Sequence, residues 1–135
     1  MKKIISSITV LSVVVMMASC STGQNRASDS AIAENVNVTE FANHMQGAQL
    51  LDVRTPEEWN EGIIEGAIMA NVFDADFEAQ LAKLDKGKPV AVYCKSGGRS
   101  GQAMAKMHEL GFKEVYNLNG GIGAWKGAGQ PTVKP

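Results

Sequence analysis

The chain has 135 residues, enough for one domain. Its 13 Lys+Arg against 14 Asp+Glu give a formal charge of −1. No basic stripe stands out, which excludes nucleic-acid binding driven by phosphate neutralisation. The two cysteines, Cys20 and Cys94, sit in such different surroundings that they are expected to have separate fates rather than form a disulfide.

Lys2 and Lys3 precede a mainly apolar stretch, Ile4 to Ala18, interrupted by Ser6, Ser7, Thr9 and Ser12. It falls short of the roughly 20 apolar residues a spanning helix needs, and it reads as an export signal. Met17-Ala18-Ser19-Cys20 resembles the lipobox of bacterial lipoproteins, with Met17 where Leu is usual. That resemblance implies cleavage before Cys20 and lipidation of its thiol. Several acyl chains on one residue anchor a protein stably where a single chain is marginal. Loss of Lys2 and Lys3 leaves 11 Lys+Arg against 14 Asp+Glu, a formal −3. Ser21, rather than Asp, after the cysteine implies by the same resemblance an outer-membrane anchor facing the periplasm. Residues 21–30 are small, polar and non-periodic, the composition of a flexible tether. The expected organisation is a signal over 1–19, a lipidated cysteine and tether over 20–36, and a folded domain over 37–135.

Within the domain, short apolar strands alternate with amphipathic helices, the pattern of an α/β fold with a largely parallel sheet. Thr39 to Met45 is a first short helix and Gln49 to Val53 a strand. Thr55-Pro56-Glu57-Glu58 starts a helix, with Thr55 as cap, Pro56 at the first helical position and Glu58 closing a capping box. Gly62 ends it, Ala67 to Val72 is a second strand, and Asp74 to Leu84 is a helix with Phe77, Leu81 and Leu84 on one face. Pro89 to Tyr93 is the clearest buried strand. It stops at Cys94, and a helix starting at Arg99 or Ser100 runs to Leu110. Val115 to Leu118 is the last strand, and Gly120 to Trp125 turns into a final short helix. The tail Gly129-Gln130-Pro131 is expected to be irregular.

The chemistry concentrates at Cys94. A cysteine at the carboxyl end of a central strand sits where open α/β sheets bind ligands. Gly97 and Gly98 allow positive φ, so that N–H groups can point inward as an anion-binding nest. The following helix adds its unpaired N–H groups, and Lys95 and Arg99 add positive charge. Such surroundings lower a thiol pKa from about 8.5 into the range of roughly 3.5 to 7.5, and the thiolate is the nucleophile. A cation at a helix start is disfavoured by the dipole, so Arg99 there points to a bound anion.

Cys94-Lys95-Ser96-Gly97-Gly98-Arg99-Ser100 closely resembles the active-site loop of rhodaneses. Leu51 to Trp59, Gly62 to Ile68, and Asn119 to Trp125 resemble that family's DVR segment, its GHIxGAxx stretch and its closing Gly-Gly and Trp. The resemblance covers about Val38 to Pro131. It implies a three-layer α/β fold and a two-step sulfur transfer. Cys94 takes sulfur from a small anionic donor such as thiosulfate, then passes it to a thiol or to cyanide. Backbone N–H groups from Lys95 to Ser100 would cradle the persulfide, with no metal or organic cofactor needed. The family usually has His where Ile63 stands, and a local packing change away from the sulfur is expected.

Other residues read more plainly. Asp52 and Arg54 are expected to form a structural strand-end pair, Met104 and Met107 to be core, and His44 and His108 to be surface residues without a metal pattern. Gly120 to Gly123 does not continue as a dinucleotide-binding loop, because Lys126 stands at the last position. Cysteine phosphatases share the thiolate, cradle and arginine but place five residues between Cys and Arg, where four intervene here. A persulfide carrier or a lipoprotein binding module is the non-enzymatic alternative. An exposed thiol in an oxidising periplasm would also call for a dedicated thiol reductant as partner.

Overall fold

The computed structural model describes residues 30–135; the signal, Cys20 and the tether up to Asp29 lie outside the described residues. The elements run β1 (Ile32–Val36), α1 (Val38–His44), β2 (Gln49–Asp52), α2 (Pro56–Asn60), β3 (Ile68–Met69), α3 (Phe77–Leu81), β4 (Val90–Tyr93), α4 (Gly98–Glu109), β5 (Glu114–Leu118) and α5 (Gly121–Gly127). All strand pairs are parallel, in the order β1-β5-β4-β2-β3. The expected α/β fold, a parallel sheet flanked by helices, is the one observed.

β4 lies between β5 and β2 and is buried along its whole length. Its side chains alternate between faces, as a strand requires. Val90, Val92 and Cys94 join the cluster of Phe77, Leu81, Met107 and Phe112. Ala91 and Tyr93 join Phe41, Ile122 and Trp125. Phe41 meets both Tyr93 and Trp125 edge-on, at centroid distances of 6.4 and 6.2 Å. Each such pair contributes about 1 kcal/mol beyond its burial.

The chain leaves β2 towards β3 on one side and leaves β4 towards β5 on the other. The carboxyl ends of β2 and β4 therefore flank the topological switch point, where side chains from two loops converge. Cys94 follows β4 and Arg54 to Glu58 follow β2, so this connectivity alone brings those segments together.

Several expectations shift. Ile32–Val36, expected within the tether, is an edge strand paired with β5, from Ile32 opposite Glu114 to Val36 opposite Leu118. Only Val36 of the five is buried, so no apolar alternation marks the strand; backbone pairing to β5 builds it, with Val36 in the core and Asn35 bonded to the side chain of Asn117. The first helix starts at Val38, because Asn37 caps it in a reciprocal box with Glu40. The expected strand over Ala67 to Val72 shrinks to two residues, since Phe73 N–H turns back to Asn71 Oδ1 at 3.0 Å. The expected helix over Asp74 to Leu84 is regular only over Phe77–Leu81, and Asp76 makes no side-chain cap. The tail holds one antiparallel bridge: Ile63 N–H donates to Val133 O, and Val133 N–H to Ile63 O, both at 2.8 Å. Ile63 is buried.

Candidate active site

Cys94 is the first residue past β4, and its side chain is fully buried at the floor of the loop. Gly97 N–H donates to Sγ at 3.1 Å and Ser100 Oγ donates at 3.3 Å. Burial opposes ionisation of this thiol. The Ser100 hydroxyl and the backbone N–H groups of Ser100, Ser96 and Gly97 outweigh it, holding the pKa below its ordinary 9.0. Of the six loop residues expected to cradle the sulfur, these three supply the donors. Ser100 does so through its buried hydroxyl as well as its backbone, a role the motif alone does not separate.

Gly97 alone of the two loop glycines has positive φ, at +97°; Gly98 opens α4 in ordinary helical conformation. A Cβ on Gly97 would also lie 3.2 Å from Gly120 N and 3.3 Å from Leu118 O. The loop is held from behind by α5. Ile122 N–H donates to Cys94 O at 2.9 Å, and Gly123 N–H to Lys95 O at 3.2 Å. With these carbonyls bonded at the back, the loop's N–H groups are left facing the sulfur. Gly121 permits the close approach, because a Cβ there would fall 2.5 Å from Cys94 O and from Lys95 C and O. The closing Gly-Gly is thus a clamp on the loop.

Asn117 is a further positioning residue that the sequence reading passed over. It is buried in β5, donating from Nδ2 to Gly97 O at 3.1 Å and to Asn35 Oδ1 at 2.7 Å. It therefore ties β1 to the peptide whose N–H meets Cys94. A polar residue between the apolar Tyr116 and Leu118 of a buried strand was the available signal.

Arg99 has a partner that the loop sequence does not name. The anion at the start of α4 is supplied by the chain itself. Arg99 Nη1 and Nη2 donate to Glu58 Oε2 and Oε1, both at 2.7 Å. Bidentate pairs of this kind are the strong ones. The Arg99 guanidinium holds the Glu58 carboxyl at about 2, with hydrogen bonds from Thr55 assisting. The other face of Arg99 lies 5.8 Å from the centroid of Phe73, a ring 69% exposed. Lys95, Ser96 and Gly98 are exposed, and Lys95 makes no ion pair among the described residues. Glu58 and Arg99 stand 41 positions apart, so no local spacing reveals the pair.

Asp52 and Arg54 form the expected structural pair, fully buried. Nη2 lies 2.7 Å from Asp52 Oδ2, and the guanidinium also donates to Glu58 O and Gly62 O. Arg54 thereby closes off the end of α2. Met107 is core, Met104 packs beside it, His108 is exposed, and half-buried His44 stacks on Tyr116 at 3.7 Å.

Comparisons with known proteins converge on this arrangement. A buried thiol in a ring of donors lies at the switch point of the parallel sheet. Residues 37–128 match the model of the Rhodanese-like domain, and the chain belongs to that family. A protein named Sulfurtransferase from Allochromatium vinosum is 38% identical over 86 residues, covering 64% of this chain and 78% of its own. A probable adenylyltransferase/sulfurtransferase from Mycobacterium tuberculosis is 38% identical over 84 residues, 62% of this chain; the chain spans only 21% of that longer protein. The crystal structure of a rhodanese-related protein from Thermoplasma volcanium superposes with a TM-score of 0.68 at 28% identity, covering 76% of this chain and 99% of its own.

Proposed function

We propose that this protein is a sulfurtransferase that moves a sulfane sulfur from thiosulfate or a similar donor to a thiol or cyanide through a Cys94 persulfide. The observation that carries the reading is that Cys94 Sγ is met by donors, Gly97 N–H and Ser100 Oγ–H, that favour an anionic sulfur. Cys94 thiolate attacks the outer sulfur of the donor. The donor S–S bond breaks, sulfite leaves with the electron pair, and Cys94 carries –S–S⁻. An acceptor thiolate or cyanide then takes the terminal sulfur and returns Cys94 as thiolate. The ring of N–H groups is preorganised for the negative sulfur in both states. In this reading the acylated Cys20 holds the domain at the periplasmic face of the outer membrane, and a thiol reductant keeps Cys94 reduced.

The test is intact-mass spectrometry of the reduced, detergent-solubilised chain before and after thiosulfate, with Cys94→Ser alongside. A gain of one sulfur atom that requires Cys94 and is reversed by cyanide is the expected result. Turnover of aryl phosphates, with no sulfur gain from any donor, would replace the reading with a phosphatase.

A further inference from the structure

Two features of the rim bear on which donor the site takes. The cation nearest the cradle in sequence after Lys95 is Arg99, and both its terminal nitrogens are occupied by Glu58 at 2.7 Å. The buried Asp52–Arg54 pair behind it is likewise balanced. Of the two cations of the loop, Lys95 is exposed and makes no ion pair among the described residues, and the Arg99 guanidinium is neutralised. The same guanidinium rests beside Phe73, the most exposed large apolar side chain among the described residues at 69%. An aromatic face at the rim offers contact area to an organic group and nothing to an inorganic oxyanion.

Resting on the sulfur-transfer reading, we propose that Glu58 is a specificity-determining residue: by occupying Arg99 beside Phe73, it directs the Cys94 site towards organic persulfides and away from dianionic donors such as thiosulfate. With a persulfide R–S–SH, Cys94 thiolate attacks the outer sulfur. The donor S–S bond breaks, R–S⁻ leaves with the electron pair, and Cys94 carries –S–SH. The transferred sulfur keeps its oxidation state, so no external oxidant or reductant enters. The leaving thiolate carries a single charge; sulfite would leave with two.

The experiment compares the full detergent-solubilised chain with Glu58→Gln and with the double variant Glu58→Gln/Arg99→Gln. Transfer to Cys94 is followed by intact mass, with thiosulfate and with an uncharged alkyl persulfide as donors. Gln keeps the shape of Glu and can still close the capping box with Thr55. Glu58→Gln is expected to raise kcat/KM for thiosulfate about tenfold relative to the alkyl persulfide, the order of effect of one uncovered charge on a nearby dianion in a water-like dielectric. That gain is expected to vanish at about 1 M salt, where the screening length is about 3 Å. The double variant is expected to return to the wild-type donor ratio, because the pair contributes no net charge in the wild type. An equal loss with both donors in Glu58→Gln would reduce the residue to a structural role and overturn the proposal. So would a tenfold loss with thiosulfate in the double variant, which decides the matter even if Glu58→Gln alone fails to fold. A wild-type protein that gains no sulfur from either donor would instead defeat the sulfur-transfer reading itself.

Discussion

Ser100→Ala tests the cradle at its one side-chain donor. Ser100 is fully buried, and its hydroxyl lies 3.3 Å from Cys94 Sγ. A hydrogen bond to a charged group contributes about 1.5–3 kcal/mol, and one pKa unit corresponds to about 1.4 kcal/mol. Sulfur is a weak acceptor, so the lower end of that range applies. The thiol pKa is therefore expected to rise towards its ordinary value. The sign follows from the charge: the hydroxyl stabilises the thiolate and leaves the neutral thiol nearly unaffected. The assay is the rate of alkylation of the reduced protein by iodoacetamide as a function of pH. A single pH would mislead, because a less acidic thiol is a better nucleophile once ionised. With a Brønsted slope of about 0.4–0.5, roughly half of the logarithmic loss in thiolate is regained in reactivity. The inflection of the profile is the quantity to read. An inflection in Ser100→Ala that coincides with that of the wild type would refute the reasoning and leave the cradle to the backbone alone.

Arg54→Met should strand Asp52 as a buried, unpaired carboxylate and orphan the carbonyls of Glu58 and Gly62. The expected loss is about 3–5 kcal/mol, read by denaturant unfolding, and Asp52→Leu/Arg54→Met should recover most of it. A single-variant loss below about 1 kcal/mol would remove the pair from the account of the fold. Gly121→Ala should cost about 2 kcal/mol or more and lower Cys94 reactivity, because its Cβ meets loop backbone at 2.5 Å. Gly47→Ala is the control: its φ is also positive but nothing lies within 4 Å, so equal costs at the two sites would refute the clamp.

Much of this was legible in the residues. The run Pro89 to Tyr93 announced a buried strand because both faces of a parallel sheet are covered, leaving only apolar residues tolerable there. Thr55-Pro56-Glu57-Glu58 announced a helix start because cap, proline and reciprocal carboxylate are local features. Cys94 followed by two glycines and cations announced a reactive thiol by the same local logic. β1 was not legible. Four of its five residues are exposed, so only the hydrogen bonds to β5 distinguish it from tether.

Local chemistry also left one partner unnamed. Arg99 at a helix start did require an anion, as the dipole argues. Whether that anion was a donor or a carboxylate from elsewhere could not be read within the loop. The strand order decided it, by setting the ends of β2 and β4 side by side and bringing Glu58 across 41 residues to Arg99. The same order carried Asn117 beneath Gly97 and the start of α5 behind Cys94. The sequence by itself determined most of the elements and the turn around Cys94, because caps, periodicity and glycine freedom act over a few residues. Only the tertiary structure decided which charges remain free at the rim and what holds the loop in place, because those are relations between segments that meet solely through the order of the sheet.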